Sequence, residues 1–439
     1  MIQLIDLRDI QPNRVDLAEL IPRSQSDFSQ ASDIAQGLID AVRERGEAAL
    51  LDQAERLDGV RPAQTRIHAD EIGKAVRSLD PAVRDAIEEA IRRVTIASQA
   101  QLPAPVVTTL GEGAQVVQRW QPVKRVGLYV PGGKAVYPSS VVMNVVPAQV
   151  AGVTSIALAS PPQSHFGGRV HPTILAVAGL LGVDEIYAMG GAGAVGAFAY
   201  GVPGLGLDPV QLVTGPGNVY VAAAKRLVRG VTGIDSEAGP TDILVIADAA
   251  ADPAFVAADL VSQAEHDELA AAVLVTDSAE LAAAVEALLD TLVTTTTHSE
   301  RVAASLGGSQ SAIVLVDDLD QAAAFSNAFG PEHLEIQTSD VDAVLALIDN
   351  AGAIFLGPYA PVSLGDYAAG SNHVLPTGGQ ARFSAALGAY TFLRPQQVVR
   401  YSRDGLAGVA DHILALSTAE ALPAHGDAVS ARFSTPAER

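Results

Sequence analysis

The sequence predicts an α/β protein with two doubly wound, Rossmann-like domains and helical segments at its N- and C-terminal ends. Three observations predict it. The chain has 439 residues, too long for one ordinary core, so more than one domain is expected. Short β-branched runs recur, divided by long helical stretches, which is the pattern of parallel strands joined by crossover helices. This alternation comes in two blocks, with helical sequence before the first and after the second.

The elements follow in order. The chain up to Pro103 reads as helical. Residues 27–59 place apolar side chains at helical spacing, and another helix runs from about Asp80 to Gln101 with Pro81 in its first turn, a favoured place for proline. Beyond Pro103 the stretch QVVQRWQPVKRVGLYVPGG reads as two strands. The first alternating block then gives a helix near 140–151, strand SIALAS, helix HPTILAVAGLL, strand EIYAM, helix GAVGAFAYG, strand QLVTG and helix NVYVAAAKRLV. The second begins at Asp242 and supplies strands DILVIAD, AAVLVT, AIVLVD, HLEIQ and AIFLG. From Arg394 onward the chain reads as mostly helical, ending in a polar tail. The expected division is an N-terminal segment (1–21), a larger discontinuous α/β domain (22–128 and 242–386), an inserted α/β domain (129–241) and a C-terminal helical arm (387–439).

Composition narrows the function. With 28 Lys and Arg against 50 Asp and Glu, the formal charge is −22. Such a surface repels nucleic acid and anionic membranes, and no basic run offers a phosphate-tracking stripe. There is no cysteine, which excludes disulfides, thiolate metal sites and any aldehyde oxidation through a thiohemiacetal. The stretch 135–168 carries no Asp, Glu, Lys or Arg. Asn144, Pro147, Gln149 and Gly152 interrupt it, so it reads as a buried helix and a strand rather than a membrane span. The first residues lack a signal-peptide pattern, and the expected location is cytoplasmic.

Several motifs carry chemistry. GAGAVG, residues 191–196, fits G-x-G-x-x-G after a strand and at a helix start, where a pyrophosphate could sit. The chain is rich in Ala and Gly, however, and Asp208 precedes the next strand rather than ending it, so the acid expected in that fingerprint is poorly placed. TGPGN, residues 214–218, ends a strand directly before a helix, where glycines let a ligand approach and Asn218 offers an amide; a plain strand–helix turn would look alike. GLYVPGG also ends a strand, and its Tyr129 could stack on a cofactor or simply pack. Gln263 and His266 are three apart and share a helix face; imidazole and an amide oxygen could form half of a zinc site, although solvated side chains near a helix end look the same. Glu332 and His333 are adjacent in GPEHLEIQ and could form a proton-transfer pair. Asp366 and His373 lie in GDYAAGSNHVLPT, and Glu420 and His425 in AEALPAHGDAV. Spacing alone allows a zinc site of mixed N and O ligands and says no more.

Taken together and in this order, GLYVPGG, TGPGN, IDSEAGPTDILVIAD, DLVSQAEHD, GPEHLEIQ, GDYAAGSNHVLPT and AEALPAHGDAV resemble the histidinol dehydrogenase family over nearly the whole chain. The resemblance implies zinc- and NAD-dependent oxidation of histidinol to histidine. It implies zinc ligands Gln263, His266, Asp366 and His425, and a catalytic pair Glu332 and His333. These ligands, His333, Thr241 and Glu420 would contact substrate, while Tyr129, Gly193 and Asn218 fall at NAD-contacting positions. It also implies a homodimer in which the C-terminal arm completes the site of the other subunit. Two departures stand out. Thr241–Asp242 replaces the family's usual Ser–Glu, keeping a hydroxyl and an acid, and Gly193 stands where the family commonly has Gln. Competing readings are a paralogue acting on another primary alcohol, such as a sulfonated diol, and a non-catalytic metal-binding protein. Glu332, His333 and Glu420 together favour the imidazole substrate.

Overall fold

Runs rich in Val, Ile, Leu and Ala become strands wherever both of their faces can be covered. The structure is a computed structural model and describes residues 2–10, 17, 20–23, 28–132, 135–237 and 239–434. In chain order the described strands are β1 (Gln3–Asp6), β2 (Val106–Gly111), β3 (Ala114–Pro122), β4 (Arg125–Tyr129), β5 (Ser155–Ser160), β6 (Ile186–Ala188), β7 (Leu212–Thr214), β8 (Gly233–Ile234), β9 (Asp242–Ala247), β10 (Ala271–Thr276), β11 (Ala312–Leu315), β12 (His333–Gln337), β13 (Ala353–Leu356) and β14 (Leu393–Tyr401). The chain forms two compact units, Met1–Gln101 with Val123–Phe392, and Leu102–Pro122 with Leu393–Arg439.

The first unit holds two parallel sheets, as the alternation predicts. One has the order β1-β11-β10-β9-β12-β13 and the other β6-β5-β4-β7-β8, and every neighbouring pair in both is parallel. In the larger sheet β9 to β12 are buried along their full length, the mark of strands covered by helices on both faces. Alternate residues part to the two sides: Ile243, Val245 and Ala247 join one core and Leu244 and Ile246 the other.

Chain order reverses between β4 and β7 in the smaller sheet and between β9 and β12 in the larger. Such switch points open a crevice between neighbouring strands. The helix Pro253–Ala264, which follows β9, starts as its sequence predicts. Asp252 accepts a hydrogen bond from Ala254 N at 2.8 Å and Pro253 occupies the first turn. The uncharged stretch is helix Pro138–Ala151 followed by β5, and the helix is buried nearly all round. Among the described residues no helix is long and apolar enough to cross a membrane.

Several details differ from the sequence reading. The helical segment 27–59 breaks at Gly46 (φ +57°) into helices Phe28–Arg45 and Glu47–Leu57. Ala35, Ile39 and Leu50 of these helices share a core with Val195, Phe198 and Val221 of the smaller sheet's helices. The N-terminal segment contributes an edge strand, β1, to the larger sheet. In the second unit, β14, β3 and β2 form an antiparallel sheet, so the C-terminal part opens with a strand before helices Arg403–Ala419 and Pro423–Ser430. β2 is exposed throughout and β14 interleaves polar with apolar residues, so neither has the continuous apolar run of a covered strand.

Candidate active site

A cavity of about 450 Å³ in the first unit is lined by Tyr129, Asn218, Thr241, His266, Glu332, His333, Asp366 and His373, among others. Two sheets build it. Tyr129 ends β4 and the TGPGN loop follows β7, so both come from the carboxyl side of the smaller sheet's switch point. Thr241 precedes β9, and Glu332 and His333 open β12, so they come from the amino ends of the two strands flanking the larger sheet's switch point. A second cavity, of about 630 Å³, shares Pro240, Thr241 and Thr377 with the first.

Glu332 and His333 are fixed by hydrogen bonds. His333 Nδ1 lies 3.0 Å from the carbonyl oxygen of Asp242. A carbonyl only accepts, so Nδ1 carries the proton and Nε2 keeps its lone pair. Glu332 Oε2 accepts from Thr241 Oγ1 at 2.5 Å and from Asp242 N at 3.1 Å. Glu332 N donates to Asp242 Oδ1 at 2.6 Å. Both carboxyl groups are buried. Burial pushes each well above the usual carboxylate range, with Glu332 adding to the rise of Asp242 and nearby Asp366 to that of Glu332.

His266 and Asp366 also line this cavity, and Gln263 lies three residues before His266. Gln263 is 2% exposed, and its Nε2 donates to Thr241 Oγ1 at 2.7 Å. Among the described residues its buried Oε1 has no hydrogen-bond partner. A buried amide oxygen left unpaired is costly, and a cation would satisfy it. His266 and Asp366 lie close enough to interact, and burial pushes His266 down, favouring its neutral, ligating form. Donors of this kind, an amide oxygen, an imidazole and a carboxylate, fit zinc. Among the described residues no three His, Asp or Glu side chains form a metal-holding cluster by themselves, as expected where this unit offers two such groups and an amide. Glu420 and His425 belong to the second unit, where both are exposed.

The cofactor positions divide. Tyr129 is buried, and its hydroxyl accepts from Gly191 N at 3.2 Å. Asn218 caps helix Val219–Val228, accepting from Tyr220 N and Val221 N. Gly193 does not line the cavity. It faces helix Glu47–Leu57, where a Cβ would come within 2.0 Å of Gln53 Oε1. The G-x-G-x-x-G match is therefore a helix-packing feature, because Gly196 likewise faces Ile39 of helix Phe28–Arg45. The loop that does approach the cavity depends on Gly215, at φ +120°, whose Cβ would meet Tyr129 O at 2.0 Å.

The family model for histidinol dehydrogenase matches residues 21–433. The chain belongs to the histidinol dehydrogenase family. Histidinol dehydrogenase of Leifsonia xyli subsp. xyli is 68% identical over 98% of this chain and 99% of its own length. That of Nocardia farcinica is 56% identical over 98% and 97%. A crystal structure of histidinol dehydrogenase from Elizabethkingia anophelis matches with a TM-score of 0.91 at 31% identity, over 98% of each chain. The protein is thus an enzyme, a dehydrogenase.

Within this family site, several side chains had no role in the sequence reading. His373 lines the cavity with Nδ1 at 3.0 Å from Asp366 O and Nε2 at 3.0 Å from Ser140 Oγ. By the same logic as for His333, Nδ1 donates and Nε2 accepts from the serine. Lys225 is 1% exposed and reaches Asp235 Oδ1 at 2.5 Å and Gly215 O at 2.6 Å. Asp235 Oδ2 accepts from Gly215 N at 2.8 Å, so this buried pair grips the TGPGN loop from both sides of Gly215. The signal for it was a lysine in the otherwise apolar run VYVAAAK.

Proposed function

We propose that this enzyme oxidises L-histidinol to L-histidine through L-histidinal, the last steps of histidine biosynthesis, using NAD and one zinc ion per subunit. The observation that carries the reading is the convergence on one cavity of Glu332 and His333, the switch-point loops with Tyr129 and Asn218, and His266 and Asp366. Gln263, His266 and Asp366, with His425 from the other subunit of a homodimer, would hold zinc. When bound, zinc supplies a template for the imidazole and amine of the substrate, and NAD supplies the hydride acceptor.

The chain's own residues do the proton work. Nε2 of His333, free because Nδ1 is bonded to Asp242 O, accepts the alcohol proton as the first hydride leaves the carbinol carbon. The resulting aldehyde has no cysteine to attack it, so it takes up water as a gem-diol. Glu332 accepts a proton from that water, and loss of a second hydride gives the carboxylate. Each turnover consumes two NAD⁺ and one water and forms two NADH. Glu420 would meet the far side of the substrate's imidazole. Residues 129–241 would form the NAD-binding part. The enzyme would work in the cytoplasm without a nucleic-acid or membrane partner.

The test is to count NADH formed per histidinol. A ratio near two is expected, and a ratio near one would break the four-electron scheme. Chelation should abolish activity and zinc should restore it, whereas full activity in metal-free protein would remove zinc from the mechanism.

A further inference from the structure

We propose that Glu335 is a positioning residue that ties together the two helical segments bearing Gln263 and Asp366. The inference rests on the reading above, that these side chains hold zinc.

Glu335 stands in the middle of β12, paired with Val245 of β9 and Phe355 of β13. It is 1% exposed on a sheet face otherwise covered by apolar side chains of helix Pro253–Ala264. A carboxyl there has no part in the proton transfers described. Its bonds reach two elements. Oε1 accepts from Val362 N at 2.9 Å, the first residue of helix Val362–Tyr367. The carboxyl's other oxygen reaches Asp259 of helix Pro253–Ala264 through an amide. Gln337 Nε2 bridges the pair, donating to Glu335 Oε2 at 2.9 Å and to Asp259 Oδ2 at 3.2 Å. Burial pushes both carboxyls upward, which favours a proton on the pair.

The spacing is what gives this pair its leverage. Asp259 is four residues before Gln263, and Val362 is four residues before Asp366, one helical turn in each case. Glu335 thus grips each helix one turn from a zinc-facing side chain. A buried acid pair is a poor device for stability, since apolar side chains of similar size often serve as well or better. Supporting contacts behind metal ligands, by contrast, commonly set metal affinity.

The experiment measures zinc affinity of the full-length enzyme by competition with a chromophoric chelator, alongside the melting temperature of the metal-free protein. In Glu335→Met combined with Asp259→Leu, the metal-free protein should melt close to the parent while zinc binds ~10–100-fold more weakly. Glu335→Gln, which keeps an acceptor for Val362, should bind zinc nearly as the parent does. If the double variant fails to fold, Val362→Pro removes the donor to Glu335 at a first-turn position that accepts proline, and Val362→Ala controls for the lost valine side chain. The Pro variant should weaken zinc binding where Val362→Ala does not. Parent-like zinc affinity in the double variant or in Val362→Pro overturns the inference, as does a Gln variant as weak as the double variant. A parent enzyme that binds no zinc overturns the underlying reading instead, and the inference with it.

Discussion

The Thr241 hydroxyl donates to Glu332 Oε2 over 2.5 Å, and its oxygen accepts from Gln263 Nε2 over 2.7 Å. One hydroxyl therefore orients the Glu332 carboxyl and, by occupying the amide nitrogen, leaves the Gln263 oxygen as the free end. Thr241→Ser keeps both bonds and should retain most activity. Thr241→Val keeps the shape and loses both. It should lower turnover and zinc affinity by ~10–100-fold, the usual range for a lost supporting bond. Steady-state kinetics with zinc analysis of the same preparations checks this; a Val variant with parent turnover and full zinc would deny the hydroxyl any such part.

Glu332 supplies a pH prediction. Burial pushes its carboxyl up to about 8, with the bonds from Thr241 and Asp242 N opposing the rise. A base works only in its ionised form, and a raised pKa keeps the proton on at neutral pH. Oxidation of the aldehyde should therefore climb with pH, with its midpoint near pH 8, and level off only above it. Glu332→Gln should slow the aldehyde half by ~10²–10⁴-fold, spare the alcohol half relatively, and erase this limb of the profile. Assays with histidinol and histidinal separately decide it, equal losses in both halves being the contrary result.

Gly193 makes a different kind of prediction. A methyl group there would meet Gln53 Oε1 at 2.0 Å, and Gln53 is buried with its Nε2 bonded to Leu38 O at 2.9 Å. The clash falls on a held side chain between two helices, not on a ligand. Gly193→Ala should cost ~1–3 kcal/mol of stability, as overpacking does, with at most a modest rise in the Michaelis constant for NAD. Thermal melting and NAD titration separate the two effects. An unchanged melting temperature with NAD binding lost would return Gly193 to the cofactor site.

The parallel strands were readable because covered strands need unbroken apolar runs, and β9 and β10 have them. Proline after Asp80 and after Asp252 marked two helix starts for a local reason that no tertiary contact overrides. The antiparallel β2 and β14 escaped because exposed strands carry no such run. At the site, Glu332, His333, His266 and Asp366 could be gathered only through several motifs at once, since spacing along the chain does not report that β9 and β12 are neighbours. Lys225 and Glu335 were harder still. Their partners Asp235 and Asp259 are unremarkable acids in sequence, and only burial gives them meaning.

The last prediction concerns how the ligand set is completed. Gln263, His266 and Asp366 lie in the first unit, and His425 lies in the second, exposed on helix Pro423–Ser430. If His425 serves the site of the other subunit of a homodimer, each site mixes ligands from two chains. Asp366→Ala and His425→Ala should each be inactive alone. Co-expressed, they form mixed dimers in which one site receives both defects and the other receives neither, so activity should return. If all four ligands came from one chain, every site would carry one defect and no activity could reappear. Native mass spectrometry establishes that mixed dimers have formed. Mixed dimers without activity would place His425 within its own chain's site and leave the roles of Glu332 and His333 untouched.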